Sequence, residues 1–236
     1  MMFTSMRIQS ASILFVLAAL FSFPVYATWS IIGVDRGTGE IGIAGASCTF
    51  DVSGVASLVP KKGAIVVQAA SNYFARMEGV KKMQEGGSAG EILAAMQIDK
   101  FNPERQQYGV ILLRHEDQPL VYSGKDIKPW SGSKTGDDVA ILGNILVDKE
   151  VINQAYAAYE KGRKETFTHR LMDALKAGEE SGGDNRCDKQ AARSAFISVY
   201  DPETDAITKL SVYGTEQGGK PAVTLLKRQF DRLYQN

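Results

Sequence analysis

"PVYATWSIIGVD", residues 24–35, carries two signals that meet at one bond. Up to Ala27 the chain reads as a leader. Arg7 supplies a basic start, residues 11–23 are largely apolar, Pro24 ends that run, and small or apolar residues precede Ala27. That three-part order is the pattern of a secretory signal cut after Ala27. The apolar run is short against the ~20 residues that a membrane-spanning helix needs. From Thr28 onward the pattern is that of a strand, with no slack residues in between. The expected organisation is a signal peptide over 1–27 and a single domain over 28–236, secreted or periplasmic.

The strand at 28–35 is followed by "RGTG" and by "EIGIAGASC" (40–48), which predicts a hairpin with a glycine-rich turn. Asp35 and Arg36 belong to that turn. "GVASLVP" (54–60) and "GAIVVQAAS" (63–71) read as a second strand pair. Two helices follow. The first is expected to show Phe74, Met77, Val80 and Met83 on one face, and the second opens on the capping box Ser88-Ala89-Gly90-Glu91. Strands return at 108–114, 119–124 and 139–147. Two more helices, a hairpin across "DPETD" (201–205) and a helical tail complete the chain. Strands in blocks argue for antiparallel sheets with helices stacked outside them. A four-layer α+β sandwich, αββα, fits that order; one sheet with helices on a single side is the simpler alternative.

The composition excludes several classes. The chain has 27 basic and 27 acidic residues, so nothing marks it for nucleic acid. After the leader no second apolar run reaches membrane length, so no membrane association is expected once the signal is removed. His115 and His169 are the only histidines, and no Cys/His spacing suggests zinc. Neither a metal nor an organic cofactor is implied. Cys48 and Cys187 are the only cysteines, and an exported pair is expected to join.

A chain with so little histidine can still activate a hydroxyl at its own terminus. If Thr28 is the first mature residue, its α-amine, with a reference pKa of ~7.7–8.0, can take the proton of its hydroxyl. The chemistry needs a rigid terminus, and a strand that begins at residue 28 would provide one.

From Thr28 onward the chain resembles the family known as domain of unknown function 1028 (DUF1028), which belongs to the N-terminal-nucleophile (Ntn) hydrolase-like superfamily. "TWSIIGVDRGTGEIGIAGAS", "LVPKKGAIVVQAASN", "YSGKDIKPWSG", "ILGNILV" and "GGDNR" carry the resemblance, in order and over nearly all of 28–236. It implies the αββα sandwich and a nucleophile at Thr28. The expected reaction is hydrolysis of an amide or ester in a small molecule or peptide. The other readings are a non-catalytic binder of a small molecule, peptide or envelope component, and an adhesion or assembly module. A homo-oligomer stays open.

Asn144, an amide inside an apolar strand, is the expected oxyanion donor, or else a satisfied core asparagine. Ser47 ends the strand that pairs with the first and is expected near Thr28. Asp184 and Arg186 in "GGDNR" resemble the family's Gly-Asp-x-Arg loop. The resemblance implies Asp184 orienting the α-amine and Arg186 holding a substrate carboxylate, against a purely structural ion pair. It also brings Cys48 and Cys187 to one end of the sheets. Asn72 is either a substrate ligand or a helix cap, with the cap preferred.

Overall fold

The computed structural model describes residues 27–234. The expected leader, residues 1–27, lies outside them apart from Ala27. Ten strands and five α-helices follow in blocks. They are β1 (Thr28–Asp35), β2 (Glu40–Ser47), β3 (Ala56–Val59), β4 (Gly63–Ala69), α1 (Tyr73–Gln84), α2 (Ala89–Met96), β5 (Gln106–Leu112), β6 (Leu120–Ser123), β7 (Ser131–Thr135), β8 (Val139–Asn144), α3 (Glu150–Lys161), α4 (Phe167–Glu180), β9 (Ser194–Asp201), β10 (Ala206–Val212) and α5 (Ala222–Tyr234).

Two antiparallel sheets result, one of six strands in the order β10-β9-β2-β1-β8-β7 and one of four in the order β3-β4-β5-β6. Strand alternation sorts their side chains into three layers of core. On β1, Trp29 and Ile31 pack towards α3, α4 and α5, beside Tyr159, Leu171, Leu175 and Phe230. Ile32 and Val34 point the other way, into the seam between the sheets, with Val66, Ile111 and Leu142. Ile65, Val67, Tyr108 and Val110 leave the far side of the small sheet to meet Ala75, Met83, Ile92 and Met96 of α1 and α2. Three cores between four layers make the arrangement α-β-β-α, and the single-sheet alternative falls.

Local chemistry explains most element boundaries. The β1–β2 turn is held by Asp35, whose Oδ1 accepts from Gly37 N (2.8 Å) and Thr38 N (3.1 Å). The capping box at Ser88 and Glu91 opens α2. Two expectations need correction. Phe74 is 71 % exposed; Met83 is buried and Val80 packs against the core as expected, but the buried face of α1 is completed by Ala75, Arg76 and Gly79. A Cβ on Gly79 would come within 2.6 Å of Met96 Sδ, so the helix packs closely along its small residues. β7 is a strand that the sequence pattern does not announce. Its residues, "SGSKT", lack an apolar alternation because this edge strand is mostly exposed.

Candidate active site at the start of β1

β1 is a central strand, so Thr28 is fixed from both sides. Trp29 pairs with Ala46 of β2, and Thr28 itself pairs with Asn144 of β8. By alternation Thr28 shares the inter-sheet face with Ser30 and Ile32. It has no exposed surface, and its Oγ1 has no hydrogen-bond partner among the described residues. An unpaired buried hydroxyl costs about 1–3 kcal/mol. A cleft of about 410 Å³ reaches it, lined also by Thr49, Asp51, Val55, Ser71, Tyr73 and Arg76.

The residue before it is held just as closely. The Ala27 carbonyl accepts from Ser47 Oγ and from Arg186 Nη2 at 3.1 Å, and Arg186 Nη2 also reaches Ser47 Oγ at 3.4 Å. Arg186 is aimed by Asp184, which has no exposed surface: Nη2 to Oδ2 is 2.7 Å and Nε to Oδ1 is 3.1 Å. The same carboxylate accepts from the backbone N–H of Arg186 (3.0 Å) and of Cys48 (2.6 Å). Cys48 is disulfide-bonded to Cys187, with the Cα atoms 5.6 Å apart. The expected disulfide is therefore present. It ties the end of β2 to the loop that carries Asp184 and Arg186. Asp184→Asn is expected to destabilise the protein by about 1–3 kcal/mol, because one acceptor of this clamp becomes a donor facing donors. Urea unfolding of the oxidised protein measures it; an unchanged midpoint would mean that the disulfide holds the loop alone.

Beneath Thr28 lies a polar cluster that sequence reasoning missed. Gln68 Nε2 donates to Gln107 Oε1 (2.8 Å), to the Thr28 carbonyl (3.3 Å) and to Asn144 Oδ1 (3.3 Å), while Gln68 Oε1 accepts from Ser30 Oγ at 2.7 Å. Both glutamines are buried within otherwise apolar strands. Their position in "AIVVQAA" and "RQQYGVI" was the available signal: a buried amide has to be answered by other polar groups. The backbone is strained at the same end. Ala69 (φ 67°) and Ile145 (φ 52°) follow Gln68 and Asn144 directly, and both are left-handed without being glycine. Such positions cost of order 1–3 kcal/mol and persist where the surroundings over-determine them.

Thr28, Asn144, Ser47, Asp184 and Arg186 are thus gathered at one end of the six-stranded sheet. Asn72 is not part of that group. Its Oδ1 caps α1 through Phe74 N (2.9 Å) and Ala75 N (3.1 Å), and it borders a separate depression beside Met77 and Phe101. Arg186 is engaged by Asp184 and the Ala27 carbonyl rather than turned to the cleft. Arg76 is the cationic side chain that lines the cleft, and burial lowers its basicity below the ordinary arginine value while the Tyr73 phenol opposes that shift. Among the described residues, no group of three or more His, Cys, Asp or Glu side chains is placed to hold a metal, and no helix is long and apolar enough to cross a membrane.

No curated protein matches the chain. Among solved structures it is similar to the crystal structure of protein SPO2555 from Silicibacter pomeroyi, titled as DUF1028. The two share 22% sequence identity and a TM-score of 0.72, over 87% of this chain and 88% of that one. At that identity the likeness is one of fold. The family model described as "Family of unknown function (DUF1028)" matches residues 28–220, beginning at the threonine on which the site is built, and the chain belongs to that family.

Proposed function

We propose that the protein is an exported N-terminal-nucleophile hydrolase, of the Ntn superfamily, that cleaves an amide or ester of a small molecule or peptide. The observation that carries this reading is the Thr28 hydroxyl: buried, unpartnered, at the first position of a central strand and open to a cleft. A hydroxyl kept at that cost is supported as functional where nothing structural uses it.

In this reading, removal of residues 1–27 frees the Thr28 α-amine where the Ala27 carbonyl had been tethered. Ser47 and Arg186, which hold that carbonyl in the uncut chain, are left beside the new amine. The amine takes the hydroxyl proton as Thr28 Oγ attacks the substrate carbonyl carbon. Asn144, opposite Thr28 in the ladder and oriented by Gln68, is the proposed oxyanion donor. The C–N or C–O bond breaks, the leaving group takes the proton from the amine, and an acyl ester remains on Thr28. Water, deprotonated by the same amine, attacks that ester, releases the acid and restores the hydroxyl. A disulfide at the site agrees with export to an oxidising compartment.

The test is chemical. Intact mass of the exported protein should place its terminus at Thr28. Incubation with a β-lactone should then add one lactone mass, located on Thr28 by peptide mapping. A terminus elsewhere, or an adduct on another residue, would leave the fold as a binding module.

A further inference from the structure

Two arginines other than Arg76 among the described residues, Arg170 in the core and the more exposed Arg186, each have a carboxylate partner. Arg170 is 5% exposed; its Nη2 contacts Asp138 Oδ2 at 3.1 Å and its guanidinium lies 3.9 Å from the Tyr159 ring centroid. Arg186 has the Asp184 carboxylate at 2.7 Å. Arg76 is 8% exposed and has no such carboxylate. Its Nη1 donates to the Ala56 carbonyl, its Nε is buried without a partner, and the Tyr73 ring lies 5.6 Å away. No carboxylate among the described residues reaches ion-pair distance of it. Asp51 shares the cleft, but it is exposed and its Oδ1 accepts from Ser53 N at 2.8 Å.

A buried guanidinium without a counter-ion is costly, because desolvation is not repaid by a partner. Arg76 carries that cost on the wall of the cleft that reaches Thr28. Its fork of donors suits a planar oxyanion bound through two parallel hydrogen bonds. We propose that Arg76 is the receptor for a carboxylate on the substrate, so that the site selects acyl groups bearing a second, anionic end. This rests on the reading that Thr28 is the nucleophile. The cleft volume of about 410 Å³ fits a small acyl chain spanning the two residues.

The test has a binding arm and a reaction arm. Succinate, glutarate and adipate are titrated by calorimetry into the processed protein and into Arg76→Met and Arg76→Lys. At least one diacid should bind wild type about 10- to 100-fold more tightly than Arg76→Met, the range expected for charge-assisted hydrogen bonds. Arg76→Lys should fall between, because it keeps the charge and loses the fork. Melting curves identify folded variants, and Arg76→Lys carries the test if the methionine variant fails to fold. No diacid binding, or equal binding by wild type and variants, overturns the proposal. In the reaction arm, nitrophenolate release is followed with mono-4-nitrophenyl glutarate and with its methyl ester. Thr28 Oγ would displace nitrophenolate and keep the glutaryl group. Wild type should favour the free carboxylate about 10- to 100-fold, and Arg76→Met should bring that ratio towards one. Acylation of Thr28 with no preference in wild type also overturns the proposal. If neither ester acylates Thr28 while diacid binding still depends on Arg76, the nucleophile reading fails and the carboxylate site stands.

Discussion

Thr28→Val is expected to make the protein more stable and, at the same time, inert. In the chain that keeps Ala27, the threonine hydroxyl is buried with no partner among the described residues. Valine replaces it with a methyl group of similar shape on a strand that already favours β-branched residues. Removing an unsatisfied hydroxyl should recover about 1–3 kcal/mol. Urea midpoints of the two chains, both retaining Ala27, measure that gain. In chains that begin at residue 28, the same substitution should abolish the lactone adduct. A residue kept only for structure would show the opposite pattern, with a loss of stability and no effect on labelling. Adding one residue ahead of Thr28 gives an independent check, because it turns the base into an amide. Labelling should vanish while the melting temperature holds.

Removing the disulfide is expected to have the largest effect on stability. Cys48 and Cys187 are 139 residues apart, and releasing a loop of that length restores entropy to the unfolded chain worth about 5 kcal/mol. That is comparable to the whole stability of a marginal domain. The double variant Cys48→Ser, Cys187→Ser should therefore unfold at a much lower urea concentration than the oxidised protein. Its native state should also lose order locally. Asp184, Arg186 and the Ala27 carbonyl form one hydrogen-bonded chain beside the bond, so hydrogen exchange should rise first in residues 184–191 and at the start of β1. An unchanged midpoint would mean that the clamp by Asp184 is sufficient without the covalent link.

Much of this architecture was readable because local rules decide it. The β1–β2 hairpin follows from "RGTG" between two apolar strands, and the capping box of α2 and the Asn72 cap of α1 are written in four residues or fewer. The disulfide followed from two cysteines and an expected export signal. Long-range placement was harder. Gln68 and Gln107 sit on neighbouring strands, but their meeting with Thr28 and Asn144 depends on how the two sheets face each other. Arg76 was hidden by the apolar spacing of α1. Phe74, Met77, Val80 and Met83 drew attention to one face; Val80 and Met83 do pack inwards, but the helix also turns its small residues inwards and carries the arginine with them. β7 escaped because an exposed edge strand needs no apolar alternation.

Ala27 and Thr28 have no exposed surface, and β1 lies hydrogen-bonded between β2 and β8. A peptidase acting from outside needs several residues of extended chain around the bond it cuts. Once the six-stranded sheet has closed, the bond between residues 27 and 28 offers none. If residues 1–27 are removed as proposed, cleavage by another enzyme must come first and folding second. In that case the chain has to be cut during or just after its emergence, before β8 and β9 arrive more than a hundred residues later. A molecule that folds ahead of the proposed cleavage would keep residues 1–27 and a blocked Thr28 amine. The ratio of blocked to processed protein should therefore report the race between folding and the peptidase, and conditions that slow folding should raise the processed share.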